Sequence, residues 1–441
     1  MESTSEYIAR KREELAFLLA HAGANEDIAV SPTVDEIITM KFRLRARLMT
    51  RMIEEHWDVT ESNWNAKEAV EFAGYTLKYG YQRFDLSISS KPMYPHLQRR
   101  RQLPPFRSAA AYASSGMGAI ATVLLALDQL TATKGGASVY ALEDGYFETL
   151  HTIRTITRDL RLELAADCAT LGQTMRFRTV GPPARVLLID SITADDASDF
   201  IADLVATRPT LILFDTTCYE LGADEIDRVL VAGLAVGAPI VLLRSHVKLD
   251  SLGTEYGRLG SATFVRPGSI HGESKELFAN LVGVYRDVLC RIGTRPVHTH
   301  LIPFLHDAEF SRLNKLRLQR LGENTLALTE SLRLRLDGER FRIGCFHHQK
   351  YLTLEPPTIE TRDSLLRRIG ALASRARDYG VPIRRADSFG FDFVALTDFV
   401  DLKRDRHVLR VALADLPEPV IERVSDVLVE WTNHEFPDHH V

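Results

Sequence analysis

From Phe106 onward, short apolar runs alternate with segments of helical spacing, and this alternation limits the folds open to the chain. ASVYALED, ARVLLIDSI, TLILFDTTCY, APIVLLRSH and SATFV each read as a strand. Helical patterns stand between several of them, among them SSGMGAIATVLLALDQL and YFETLHTIRTITRDL. Alternation of this kind builds a mostly parallel sheet with helices on both faces. Two of the strands lead into charged groups. Leu211-Ile212-Leu213-Phe214 ends on Asp215, and Val241-Leu242-Leu243 leads through Ser245 and His246 to Lys248. Ligands bind at the C-terminal ends of strands in open α/β sheets. A lone charge buried there is costly unless it has a partner or a task.

With 441 residues and 45% hydrophobic content, the chain has material for more than one domain. Residues 1–70 are charged and helix-prone, and Ile38 to Trp57 carries apolar side chains at helical spacing. Residues 71–105 have turn and extended character. The alternating region at 106–300 forms a large domain, and 301–441 a smaller α+β domain. A helical region from about Ser274 to Leu336 links the two and leads to RFRIGCFHHQKYLTLEP, a strand or hairpin. RDSLLRRIGALASRARDYG reads as a helix, HVLRVALA as a strand and PVIERVSDVLVEW as a final helix.

The formal net charge is −5, with Lys and Arg interspersed among Asp and Glu. That balance argues against nucleic-acid and membrane-surface partners. Arg99-Arg100-Arg101 is short and stands alone. Apolar runs such as Ala119 to Leu127 are too short to span a bilayer. The polar, acid-bearing N-terminus resembles neither a signal nor a transit peptide. Cys168, Cys218, Cys290 and Cys345 lack CxxC spacing, and reduced thiols in a cytoplasmic protein are expected. His347 and His348 are adjacent, so on a strand they point to opposite faces. Neither they nor His298, His300, His439 and His440 belong to a metal motif, and no metal site is expected.

Pyridoxal phosphate uses the two groups that end those strands, taking a lysine as Schiff base and an acid against its pyridinium nitrogen. Further segments, in chain order, resemble the pyridoxal-phosphate enzymes of Cys/Met metabolism, the cystathionine-synthase and methionine-lyase group. Ser114-Ser115-Gly116-Met117 opens a helix, where backbone N–H groups and the helix dipole face an anion. The resemblance implies that Ser115, Gly116 and Met117 hold the cofactor phosphate. Tyr146 is similar to a tyrosine that stacks on the pyridine ring, although Phe147 and Glu148 follow where the family has small residues. FDTTCY matches the position of the family's acid at Asp215, with Thr216 where asparagine is commoner. Ser245 and Lys248 match S-A-T-K, as phosphate ligand and Schiff-base amine, with Val247 replacing a threonine. Tyr256-Gly257-Arg258-Leu259-Gly260 is similar to a class I/II aminotransferase motif whose arginine, here Arg258, binds phosphate. Tyr81 and Arg83 resemble the Y-x-R that reaches the phosphate of a neighbouring subunit. Ser388 resembles a turn beside the substrate, and Arg410 a guanidinium clamp for its carboxylate.

The resemblance implies the aspartate-aminotransferase-like fold (fold type I): a mostly parallel seven-stranded sheet in the large domain and a smaller α+β C-terminal domain. It implies a homodimer or homotetramer with active sites at subunit interfaces. The expected substrate is an α-amino acid. The expected reaction is β- or γ-elimination or replacement, with Lys248, Asp215 and Tyr146 as catalytic groups. Class I/II transamination is the alternative. A non-catalytic scaffold is a third reading, opposed by the retention of both Lys248 and Asp215.

Overall fold

The computed structural model describes residues 2–55, 69–79, 86–91, 94, 105–177, 184–193, 197–200, 207–270, 272–401 and 404–436. Its backbone divides into two compact units. One comprises residues 1–51, 248–255 and 307–441, the other residues 52–247 and 256–306.

The second unit is built on a seven-stranded sheet. Across it run Phe106–Ala113, Gly260–Pro267, Ile240–Ser245, Leu211–Asp215, Ala184–Asp190, Ala137–Leu142 and Leu160–Ala165. Gly260–Pro267 is antiparallel to both of its neighbours, and every other pairing is parallel. The central strands Leu211–Asp215 and Ala137–Leu142 are buried at every position, as parallel strands covered on both faces must be. The helix Gly116–Thr131 packs Ile120, Val123, Leu124 and Leu127 into one core with Leu277, Phe278 and Leu281 of the helix Gly272–Arg291. By length and composition alone, Gly116–Lys134 could cross a membrane. Its apolar side chains instead fill the interior of the sheet unit.

The first unit carries a five-stranded sheet with the order Arg342–Cys345, Tyr351–Glu355, Arg406–Ala412, Val394–Asp401 and Ile383–Arg385. Its helices include Thr4–Ala22, Ala308–Arg335, Arg362–Asp378 and Glu418–Glu435. Ser3 starts the first of these with a capping box, its side chain accepting from the Glu6 amide while Glu6 accepts from the Ser3 amide.

Several elements differ from the sequence reading, each for a local reason. The helix after Tyr146 stops at Ile156, and a strand, Leu160–Ala165, follows where helix was expected to Leu160. Asp128 enforces the break by accepting from the backbone amides of Arg158 and Asp159. The helical region at 274–336 is two helices, parted around Pro296 and Pro303, which cannot donate to a continuing helix. Val394–Asp401 and Ile383–Arg385 are strands that the sequence reading did not pick out. Residues 1–51 and 248–255 cluster with residues 307–441.

Candidate active site

In the sheet unit, the helix entry at Ser115 and the strand end at Ser245 meet. Ser115 is the N-cap of Gly116–Thr131, and its Oγ accepts from the Gly118 amide at 2.9 Å. A Cβ on Gly116 would lie 2.6 Å from the Cβ of Ser245, so only glycine lets the two segments approach this closely. Gly260 makes the same allowance on the other side, where a Cβ would come within 2.1 Å of the Ser115 carbonyl oxygen. Thr217 links Ser245 to the acid. Its Oγ1 accepts from the Ser245 amide at 3.0 Å, and its amide donates to Asp215 Oδ1 at 2.8 Å. The result is a turn of backbone, two serines and a carboxylate along one end of adjacent strands. Helix N-termini of this kind bind phosphate.

Asp215 is buried, and the neighbouring parallel strand brings Asp190 into register with it. Asp190 Oδ1 accepts from the Ile192 amide at 3.0 Å and Oδ2 from the Tyr146 amide at 2.8 Å. Burial, and then the negative charge of Asp215, push the Asp190 carboxyl up to about 7. Asp190 was missed in the sequence, although the signal was there: ARVLLID is an apolar run ending on an acid, as LILFD is. Through its amide, Tyr146 is anchored to this pair at the start of Phe147–Ile156. Its hydroxyl donates to Glu148 Oε2 at 2.8 Å, and its ring lies edge-on to Phe147. Phe147 and Glu148, the two departures from the resembled pattern, are therefore the residues that fix the tyrosine ring.

Arg258 is exposed, in a turn where Gly257 has a φ of 64° and packs its α-carbon against the His300 backbone. Met117 is half-buried at the helix entry. Tyr81 and Arg83, expected as phosphate ligands from a neighbouring subunit, lie outside the described residues, as do Arg99-Arg100-Arg101 and His439-His440.

The other unit holds Lys248, Ser388 and Arg410. Lys248 lies in the short helix His246–Leu249, and its ammonium sits 4.7 Å from the centre of the Phe389 ring. Gly390 backs onto the Lys248 carbonyl so closely that a Cβ there would be 2.0 Å from the oxygen. Glu255 accepts from the Ser388 side chain. Burial raises its carboxyl pKa, against the lowering pull of Arg45 and Lys248. Arg410 is buried in the strand Arg406–Ala412 and donates through Nη2 to the Asp387 and Ser388 carbonyls at 3.0 and 3.4 Å. Its Nε is buried without a hydrogen-bond partner, a donor left over for an anion. Tyr351 spans from Arg410 to Phe389, with the guanidinium 5.5 Å from its ring centre and the Phe389 ring at 5.9 Å. His348 joins the same aromatic group at 4.5 Å from Tyr351. Burial first, then nearby positive charge, holds its pKa well below the usual value, so it stays neutral.

No family model matches the chain, and no curated protein sequence does. Solved structures do. A methionine gamma-lyase from Micromonospora echinospora superposes with a TM-score of 0.50 and 15% identity, over 78% of this chain and 86% of that one. Cystathionine gamma-lyase from yeast gives 0.51 and 13%, over 74% and 82%. The chain has their fold. The likeness extends to the mostly parallel seven-stranded sheet with its separate C-terminal sheet, which is the fold type I arrangement. Cys168, Cys218, Cys290 and Cys345 form no disulfide.

Proposed function

We propose that the protein is a pyridoxal-phosphate enzyme that eliminates or replaces a β- or γ-substituent of an α-amino acid. The observation that carries this reading is the buried Asp190–Asp215 pair at the strand ends, on the same sheet edge as the Ser115–Gly116 turn and Ser245. Burial and then the negative charge of Asp215 raise the proton affinity of Asp190. A protonated pyridine nitrogen would offer them an N–H donor and a positive charge, and the helix entry offers its phosphate an anion site. The donor set therefore fits the cofactor.

When bound, the cofactor supplies an electron sink for charge developing at the substrate α-carbon. The chain supplies the rest. Ser115, Gly116, Met117 and Ser245 hold the phosphate, supported by Arg258, Tyr81 and Arg83. Asp215, beside Asp190, would face the ring nitrogen and favour its protonated form. Tyr146 would lie against the ring. Lys248 would be the amine that holds the cofactor and would move the α-proton. Arg410 takes the substrate carboxylate, with Nε as a free donor, and Ser388 lines the approach. A homodimer or homotetramer fits this reading, since Tyr81 and Arg83 resemble a motif that reaches the phosphate of a neighbouring subunit. Both structural neighbours are gamma-lyases, which supports elimination over transamination.

The substrate clamp gives the test. Replacing Arg410 with lysine keeps the charge and loses the planar fork, and a charge-assisted hydrogen bond of this kind is worth roughly 1.5–3 kcal/mol. With a panel of amino acids scored for keto acid, released thiol and replacement product, kcat/KM should fall at least about tenfold in Arg410→Lys. Cofactor affinity should hardly change. Loss of cofactor with intact substrate kinetics would remove Arg410 from the substrate site.

A further inference from the structure

The first unit contains a buried ion network. Lys11, Lys41, Glu14, Arg317, Asp392 and Asp415 are all shielded from solvent. Lys11 Nζ lies 2.9 Å from Asp392 Oδ1, 2.7 Å from Asp415 Oδ2 and 3.0 Å from Glu14 Oε2. Lys41 Nζ lies 2.6 Å from Asp392 Oδ2 and also pairs with Glu14. The three carboxylates are close enough together to ligate a cation, but the two ammonium groups already sit among them.

Each buried charge of such a network is expensive, and apolar residues of the same volume are often as stable. One contact of Lys41 suggests what this network is for. Its third partner is the Leu252 carbonyl oxygen, at 2.7 Å. Leu252 belongs to the segment 248–255, which begins at Lys248, and has a φ of +51°. Glu255 has the same φ and Gly253 a φ of +78°. A leucine in the left-handed region costs free energy and persists only where its surroundings enforce it. Those surroundings are the network. Gly253 presses against it, since a Cβ would lie 2.6 Å from Asp392 Oδ1 and 3.0 Å from Arg317 Nη2. At the other end of the segment, Arg317 donates to the Gly390 carbonyl at 2.7 Å, and Gly390 is the residue packed on the Lys248 carbonyl.

We infer that Lys41 is a positioning residue for Lys248: the N-terminal helices clasp the strained segment 248–255 through a buried ammonium and so fix the backbone from which the lysine projects. This rests on the role proposed for Lys248.

The test is hydrogen exchange followed by mass spectrometry on the full-length protein, paired with borohydride trapping of added pyridoxal phosphate at Lys248. In Lys41→Met, amides of 251–255 should exchange at least about tenfold faster relative to those of the strand Tyr351–Glu355, the size of a lost charge-assisted hydrogen bond. Trapping at Lys248 should slow as well. Lys11→Met removes an equal buried charge that does not touch the segment, so loop and strand should then accelerate together. If Lys41→Met does not fold, Gly253→Ala pushes the segment away without altering any charge and should give the same loop-specific result. Equal acceleration of loop and strand in Lys41→Met, or unchanged trapping with a loosened loop, would overturn the inference. If the parent protein itself traps no cofactor, the proposed function fails, while the exchange data still decide whether Lys41 holds the loop.

Discussion

Buried carboxyl groups occur in both units, and the two units treat them in opposite ways. Glu14, Asp392 and Asp415 are matched by Lys11, Lys41, Arg10 and Arg317. Against the effect of burial, those cations hold Glu14 down to about 2 and Asp392 well below the usual carboxylate range. Asp190 shares its site with a second carboxyl, Asp215, and is pushed up instead. The matched cluster is complete as it stands, and its work is to fix backbone. Asp190 is held toward its neutral form, and groups so shifted concentrate at functional sites.

Substitutions should separate the two regions. The largest effect is expected at the pair. Asp215→Asn leaves a bound pyridine nitrogen neutral, so α-proton exchange with solvent should slow by several orders of magnitude and cofactor should bind more weakly. A rate near that of the parent would make Asp215 a structural cap for Thr217, and the contrast would collapse. In the cluster, Lys11→Met takes one cationic partner from each of three buried carboxylates. A loss of about 3–5 kcal/mol on denaturant unfolding is expected, as for other buried pairs broken on one side. A smaller loss would mean that water reaches the cluster.

The smallest effect is in the pH dependence of the cofactor-free protein. Asp190 has a folded-state pKa of about 7 against an ordinary 3.8, so between those values the folded state holds the extra proton. Stability from this group is present below about pH 4 and declines as pH rises through 7. Glu14 has the reverse sign, contributing above its ordinary 4.5 and losing that contribution as pH falls toward 2. Asp190→Asn should therefore flatten the decline between pH 4 and 7 and leave the acid limb unchanged. An unaltered slope would show that the pair is not strained.

The sheet was legible because its strands are continuous apolar runs bounded by polar turns, and that pattern survives without knowledge of neighbours. The segments around Ser115, Asp215 and Ser245 could be found for the same reason: each sits where a run ends. Leu160–Ala165 escaped although Leu160-Arg161-Leu162-Glu163-Leu164 alternates apolar with charged side chains, because the helical spacing before it was read on to Leu160, and Asp128, 30 positions before Arg158, takes up the backbone amides that follow the helix. Asp190 escaped because one acid at a strand end says nothing about which acid lies beside it. The ion network was invisible in principle. Lys11, Lys41 and Asp392 are ordinary surface residue types, Asp392 stands 381 positions from Lys11, and only the packing of helices Thr4–Ala22 and Val34–Glu55 makes them a cluster.

The central claim is that Lys248 is the residue that binds the cofactor. Incubating the protein with pyridoxal phosphate, reducing with borohydride and mapping the modified peptide tests it directly. The account predicts one pyridoxyl group per chain, on Lys248, with loss of the yellow colour on reduction and no label in Lys248→Ala. A label on another lysine, or an unlabelled protein, would contradict it.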